Sequence, residues 1–274
     1  MPRSDSRTCP ECPLKWADGS LEGLDETRHG IWRNMIKAVI FDLDDTLYRE
    51  RDFVDQAFRS VAEVMAGYLA KNGKAPEKEE SGNLRSVKAG ISPEELFEQM
   101  IELMEQEGRG EIFNRLCERY DVDIPVQELV RIYRETEPVL VLYPDGEKFL
   151  ARLEKEQIKT GLITDGNVQV QHNKIRALGL DQRLDVVLAS YDLGLRKPDT
   201  GVYTYCLEKL GCRPEEAVYI GDNPLKDFIG AGKLGMKTVR IIRPEGLHMW
   251  RTAQEGYEAD RTVHLLTEVS LEQW

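Results

Sequence analysis

The feature that most constrains this chain is a largely apolar run that leads directly into three carboxylates. Residues 36–41 have the length and composition of a buried strand, and Asp42, Asp44 and Asp45 follow within four positions. Ligands of α/β proteins bind at the carboxyl ends of the strands. Asp42 and Asp44 are two positions apart, so on an extended segment they point to the same side.

Two carboxylates held this close repel each other, and one pKa rises unless a cation lies between them. The pair therefore predicts a divalent metal site, a nucleophile beside a general acid, or both. The alternative is an acidic loop that caps a helix, and Asp42 and Asp44 alone do not decide between these interpretations.

Length and charge limit the class of protein. The chain has 274 residues, enough for one large domain or two smaller ones. Its formal charge of -12 disfavours binding to nucleic acid or to anionic membranes. No apolar run approaches the roughly 20 residues of a membrane span. The N-terminus lacks the apolar core of a secretory signal, and the five cysteines fit reduced thiols, so we expect a cytoplasmic protein.

The first 34 residues differ from the rest of the chain. They are polar and show no sustained periodicity, so residues 1–34 are predicted to be a disordered or poorly packed extension. Cys9 and Cys12 supply only two of the four ligands of a structural zinc site, and His29 is the one candidate for a third. Two thiols without a special role are the favoured interpretation, and the role of the extension stays open.

Residues 51–137 are predicted to form a helical module. Apolar residues recur there with the 3.6-residue period of a helix in four separate stretches. Ser92 is a predicted N-cap, with Pro93 in the first turn and Glu95 able to complete a capping box. The charged, glycine-containing residues 71–83 are predicted to be a loop.

After Pro138 short apolar strands alternate with helices. Further strands are predicted at residues 159–164, 184–188, 217–220, 237–241 and 262–265. This alternation predicts a Rossmann-like α/β fold, a parallel sheet with helices on both faces. Residues 35–50 and 138–274 would form this core, and the helical module would be inserted after the first strand, above Asp42.

Polar residues cluster at four places along the predicted core. They are Asp42 to Thr46, Thr164 to Asn167, Arg196 to Asp199 and Gly221 to Asp227. Parallel strands bring these groups to one edge of the sheet. Here the chain resembles the haloacid dehalogenase superfamily over about residues 35–274. The matching motifs are Asp-x-Asp-x-Thr at 42–46, the threonine at 164, Lys-Pro at 197–198 and Gly-Asp-x4-Asp at 221–227. The insertion point of the helical module resembles that of the family's C1 cap.

The resemblance implies a Mg²⁺-dependent phosphatase that hydrolyses a small phosphorylated metabolite. Asp42 would be the nucleophile and would carry an aspartyl phosphate. Asp44 would protonate the leaving oxygen and then accept a proton from water, while its backbone carbonyl contacts the metal. Asp222 would bind Mg²⁺ together with Asp42. Asp227 would be a water-mediated ligand or would orient Lys197.

The phosphate group would be held by the second and third motifs. Thr164 and the nearby backbone N–H groups of Asp165 and Gly166 would bind its oxygens. Lys197 would offset the charge that develops in the transition state. Asn167, Tyr48, Arg49 and Arg51 are candidates either for substrate contact or for a structural role.

Two other functions remain open at this stage. A sugar phosphomutase shares the aspartyl phosphate, although the family's mutases tend to have Gly where this chain has Asp45. A noncatalytic binding protein on the same fold is the other alternative, although no key carboxylate is missing. The dehalogenases of the family generally lack an acid equivalent to Asp44. The sequence defines neither the physiological substrate nor the oligomeric state.

Overall fold

A computed structural model of the chain describes residues 35–72 and 90–274. The predicted extension at residues 1–34, including Cys9 and Cys12, lies outside the described residues. The same is true of most of the predicted loop at 71–83.

The centre of the fold is a six-stranded sheet in which every pairing is parallel. The strands are β1 (Ala38–Phe41), β2 (Lys159–Thr164), β3 (Val186–Ala189), β4 (Ala217–Gly221), β5 (Lys237–Ile241) and β6 (Arg261–Val263). Their order across the sheet is β3-β2-β1-β4-β5-β6. The chain therefore leaves β1 toward β2 on one side and later reaches β4 on the other. Such a switch point opens a crevice at the carboxyl ends of the two strands.

Helices cover both faces of this sheet. On one face lie α5 (Pro144–Lys155) and α6 (Val168–Ala177), and on the other lie α7 (Thr200–Leu210) and α8 (Phe228–Leu234). The side chains of β1 alternate between two apolar clusters: Val39 and Phe41 pack into one, and Ala38 and Ile40 into the other. The predicted three-layer α/β fold is confirmed.

Of the described helices between β1 and β2, we call the first four the helical insertion. They are α1 (Glu50–Asn72), α2 (Pro93–Glu107), α3 (Ile112–Tyr120) and α4 (Val126–Glu135). The predicted capping box is present, because the Ser92 side chain accepts from the Glu95 N–H and Glu95 bonds back to Ser92 N. Contacts join the described residues into one compact unit, so the boundaries of core and cap stay a prediction.

The ends of several elements differ from the prediction by a few residues. The third strand was predicted at 184–188 and lies at Val186–Ala189, because a 3₁₀ turn at Leu180–Gln182 occupies the approach to it. The sequence pattern predicts a helix at 147–156, but α5 begins at Pro144, since proline fits the first helical turn. Within the described residues, no helix is both long enough and apolar enough to cross a membrane.

Candidate active site

The four predicted motifs meet at the carboxyl edge of the sheet. Asp42 directly follows β1, Thr164 ends β2, and Asp222 directly follows β4. Lys197 reaches the same place from the loop between β3 and α7. All four residues are buried, so the parallel topology assembles one enclosed polar site from distant parts of the chain.

Three carboxylates form the centre of this site. Asp42, Asp222 and Asp227 each offer one oxygen, and these oxygens lie within 4.8 Å of one another. Gly221 permits the arrangement, because a Cβ atom there would lie 2.5 Å from Oδ2 of Asp227. The backbone N–H of Asn223 donates to the same Oδ2 at 2.8 Å. Asp227 can therefore occupy this position because residue 221 of the same motif is a glycine.

Lys197 is the cation of the cluster. Its Nζ contacts the Asp42 carboxylate, lies 2.8 Å from Oδ1 of Asp227, and donates to the Tyr219 hydroxyl at 3.0 Å. Burial acts to lower the pKa of Lys197, but Asp227 and Asp42 outweigh it and hold the pKa well above its ordinary value. Lys197 is therefore charged at neutral pH.

One ammonium does not compensate three buried carboxylates. Burial raises the pKa of Asp42 to about 7; Lys197 opposes the rise and Asp227 adds to it. Burial and the charges of Asp42 and Asp227 raise the pKa of Asp222 well above its ordinary value. Apart from its ion pair with Lys197, Oδ1 of Asp227 has no polar partner among the described residues. An all-oxygen set with this deficit of positive charge fits Mg²⁺.

The Asp44 carboxylate lies beside a second lysine. Lys174 Nζ is 2.7 Å from Oδ1 of Asp44, and the Tyr48 hydroxyl donates to the same oxygen at 2.5 Å. Gln171 Nε2 lies 3.5 Å from Oδ2. Burial acts to raise the pKa of Asp44, but the charge and hydrogen bond of Lys174, with that of Tyr48, leave it below its ordinary value.

The second motif makes contacts that its sequence did not reveal. The Thr164 hydroxyl donates to Gln171 Oε1 at 3.0 Å. Gly166 has a φ of 145°, and a Cβ there would lie 2.6 Å from Gln171 Nε2, so only glycine leaves room for this side chain. The Asp165 carboxylate accepts from Ser190 Oγ at 2.5 Å and from the backbone N–H of Lys197 at 3.2 Å. Asp165 therefore holds the Lys197 loop in place.

Asp45 joins the sheet edge to the helical insertion. Its backbone has a φ of 53°, a left-handed conformation that Asp tolerates better than most residues. Its carboxylate accepts from the backbone N–H groups of Glu50 and Leu247, both at 2.9 Å. Burial raises the pKa of Asp45 to about 6, although these two hydrogen bonds act to lower it. The residue thus fixes where α1 begins.

A pocket of about 1000 Å³ lies between the sheet edge and the helical insertion. The core contributes polar side chains to its lining, which include Asp42, Asp44, Asp165, Lys174 and Asp222. The insertion contributes the cations Arg51 and Arg109 and an apolar wall that includes Phe53, Phe58, Phe113 and Tyr133. The predicted substrate candidates Asn167 and Arg51 line this pocket. Tyr48 instead bonds to Asp44, and Arg49 pairs with Glu245 at 3.0 Å.

Sequence analysis missed Lys174 and Gln171. Both lie on α6, which begins a few residues after the end of β2, and they are three positions apart on one helix face. Two polar residues at this spacing, one turn from a predicted phosphate-binding loop, are the signal that was available. Their contact with Asp44 depends on how α6 packs against the sheet, which the spacing does not show.

Comparison with known proteins places this chain in a family. The sequence model of the haloacid dehalogenase-like hydrolases matches residues 39–241. A glyceraldehyde 3-phosphate phosphatase of Methanopyrus kandleri is 33% identical over 242 residues, which cover 85% of this chain and 96% of that protein. A protein of the same name from Methanocaldococcus jannaschii is 30% identical over 243 residues, or 86% and 96% of the two chains.

A solved structure agrees with these relatives. The crystal structure of a HAD phosphatase from Thermococcus onnurineus superimposes with a TM-score of 0.53 at 27% identity, covering 85% of this chain and 95% of that one. The chain belongs to the haloacid dehalogenase-like hydrolase family. The resemblance found in the sequence is therefore confirmed.

Proposed function

We propose that this protein is a Mg²⁺-dependent phosphatase that hydrolyses a small phosphorylated metabolite through an aspartyl phosphate on Asp42. The observation that carries the proposal is the buried cluster of Asp42, Asp222 and Asp227 around Lys197, at the floor of a pocket. The names of the relatives, glyceraldehyde 3-phosphate phosphatases, support a phosphate ester as substrate.

Oxygen atoms of this cluster would hold the metal ion. Asp42 and Asp222 would do so through their carboxylates, Asp44 through its backbone carbonyl, and Asp227 directly or through water. When bound, Mg²⁺ neutralises the carboxylates and polarises the phosphate group. A phosphate dianion can then approach an aspartate that would otherwise repel it.

In the first step a carboxylate oxygen of Asp42 bonds to phosphorus and the bond from phosphorus to the leaving oxygen breaks. Asp44, which has to be protonated at this point although Lys174 lowers its pKa, gives that proton to the leaving oxygen. In the second step a water oxygen bonds to phosphorus, a water proton passes to Asp44, and the bond between phosphorus and Asp42 breaks. The enzyme is restored, and each displacement proceeds in line.

The remaining motif residues bind the phosphate group in this scheme. Lys197 offsets the negative charge of its oxygens, and Thr164 with the backbone N–H groups of Asp165 and Gly166 holds them. The buried position of Lys197 supports this role, because its charge is not screened by water. The helical insertion covers the pocket and limits both water and substrate access.

The test is phosphate release from a panel of small phosphate esters, with Mg²⁺ and with EDTA. We expect Mg²⁺-dependent release that falls at least about 10³-fold in Asp42→Asn, because the nucleophile is lost. Asp123→Asn is the matched control, since it makes the same chemical change at an exposed residue outside the pocket.

Three results would contradict the proposal. Phosphate release that is insensitive to EDTA would show that the reaction does not need the metal ion. Unchanged phosphate release by Asp42→Asn would show that Asp42 is not the nucleophile. Interconversion of two phosphate esters without phosphate release would favour a mutase over a phosphatase.

A further inference from the structure

Lys174 is a buried lysine that the scheme above does not use. Its side chain is 3% exposed, and lysine is almost never fully buried unless it is paired. Within residues 35–72 and 90–274 its one carboxylate partner is Asp44, whose Oδ1 is 2.7 Å from Nζ. A charge at this depth, directed at a proposed catalytic carboxylate, is not explained by packing.

Two aromatic rings and a hydroxyl restrict where the ammonium can lie. Nζ of Lys174 is 4.7 Å from the centre of the Phe53 ring and 5.9 Å from that of the Tyr48 ring, within the range of cation–π contacts. The Tyr48 hydroxyl donates to Oδ1 of Asp44 at 2.5 Å. Two donors from different elements therefore converge on one oxygen of the carboxylate.

The other oxygen of Asp44 is much less occupied. Its partner is Gln171 Nε2 at 3.5 Å, beyond the usual 2.7–3.2 Å of an N–H···O bond. The Thr164 hydroxyl donates to Gln171 Oε1, which turns the amide so that its nitrogen faces Asp44. Oδ1 is held by two strong donors, and Oδ2 is left to exchange a proton.

We propose that Lys174 is a positioning residue that, with Tyr48, holds Oδ1 of Asp44 so that Oδ2 transfers the proton. This inference rests on the proposed phosphatase function. The proton on Oδ2 passes to the leaving oxygen as the bond from Asp42 to phosphorus forms and the ester bond breaks. In the second step a water proton returns to Oδ2 as the water oxygen bonds to phosphorus and the bond to Asp42 breaks.

The test compares an alkyl ester, glycerol 1-phosphate, with p-nitrophenyl phosphate. An alkoxide needs a proton in order to leave, whereas p-nitrophenolate leaves without one, so damage to Asp44 positioning affects the alkyl ester more. In Lys174→Met we expect the ratio of kcat/KM for the alkyl ester to that for the aryl ester to fall about 10- to 100-fold. In Tyr48→Phe, which keeps the buried ring, we expect a smaller fall of about 3- to 10-fold.

A double-mutant cycle separates positioning from a general structural effect. In an Asp44→Asn background Lys174→Met should cause no further fall in the ratio, because the group through which it acts is gone. Lys155→Met, an exposed lysine of α5, is the matched control.

Equal losses on both esters, or the same loss with and without Asp44, would overturn the inference and leave the phosphatase standing. If the wild type hydrolyses neither ester nor any other in the panel, the phosphatase itself fails and the inference falls with it. Should Lys174→Met fail to fold, an unchanged ratio in Tyr48→Phe would overturn the inference by itself.

Discussion

The carboxyl edge of the sheet and the helical insertion place their charges in opposite ways. At the sheet edge Lys197 is buried between Asp42 and Asp227. In the insertion the Arg59–Glu94 pair is about half exposed on both sides, and aromatic rings pack among the aliphatic side chains of the interior. Lys197 is thus held away from water, whereas the Arg59–Glu94 pair lies at the surface.

This difference separates two tasks. A buried charge is fixed in position and interacts strongly with its neighbours, which suits a reaction that needs the same atoms in every substrate. An aromatic wall around a large pocket contacts whatever part of a substrate lies away from phosphorus. We therefore expect substitutions at the sheet edge to abolish chemistry, and substitutions in the insertion to change substrate preference.

The largest expected contrast is between Lys197→Met and Arg59→Met. Loss of Lys197 leaves two buried carboxylates without their cation, which is expected to lower the free energy of unfolding by about 3–5 kcal/mol in EDTA. Loss of Arg59 removes an exposed pair and should cost about 1 kcal/mol or less. Urea denaturation of both variants measures this, and similar losses would show that the two regions do not differ as described.

The next contrast compares the substitution of glycine by alanine at two positions, Gly221 and Gly67. In Gly221→Ala the added methyl would lie 2.5 Å from Oδ2 of Asp227, so Asp227 must move. We expect the free energy of unfolding to fall by about 1–3 kcal/mol and the binding of Mg²⁺ to weaken. Gly67 lies inside α1 near its C-terminal end, with nothing within 4 Å of such a methyl. Gly67→Ala should stabilise the protein by about 0.5–1 kcal/mol.

Thermal unfolding with and without Mg²⁺ measures both changes. In Gly221→Ala the Mg²⁺-dependent rise in Tm should shrink, and in Gly67→Ala it should remain. A full Mg²⁺ response in Gly221→Ala would mean that the approach of Asp227 to the end of β4 does not matter for the metal.

The sheet and the motif residues could be predicted because their signals are local. Residues 36–41 are a short apolar run that ends in carboxylates, and the alternation of such runs with helices leads to a parallel sheet with one polar edge. The ends of parallel strands then have to meet, so Asp42, Thr164 and Asp222 come together whatever the loops do. These predictions required only that the strands run parallel, so that they end at the same edge of the sheet.

Contacts that depend on helix packing could not be predicted in this way. Lys174 and Asp44 are 130 positions apart, and their contact requires the rotation of α6 against the sheet. The contact of Asp45 with Leu247 spans 202 positions and requires the path of the loop after β5. Neither the path of the loop after β5 nor the rotation of α6 produces a periodic pattern in the sequence. The sequence therefore predicted which polar side chains lie at the strand ends better than it predicted which side chains contact them.

The last contrast concerns His248, which lines the pocket and lies beside Asn223. Leu225 N donates to Asn223 Oδ1, so Nδ2 of Asn223 faces His248 Nε2 at 3.0 Å and requires that nitrogen to be an acceptor. Burial, with the charges of Arg251 and Lys226, lowers the pKa of His248 to about 4.

The folded state binds a proton on the His248 imidazole less readily than the unfolded chain does. The contribution of neutral His248 to stability is therefore fully present above about pH 6.5 and declines as the pH falls toward 4. Urea denaturation across this range should show the wild type losing stability relative to His248→Gln, whose side chain does not titrate. His264→Gln, at an exposed histidine, controls for the loss of an imidazole. A constant difference between wild type and His248→Gln would mean that His248 titrates in the folded protein as it does in the unfolded chain.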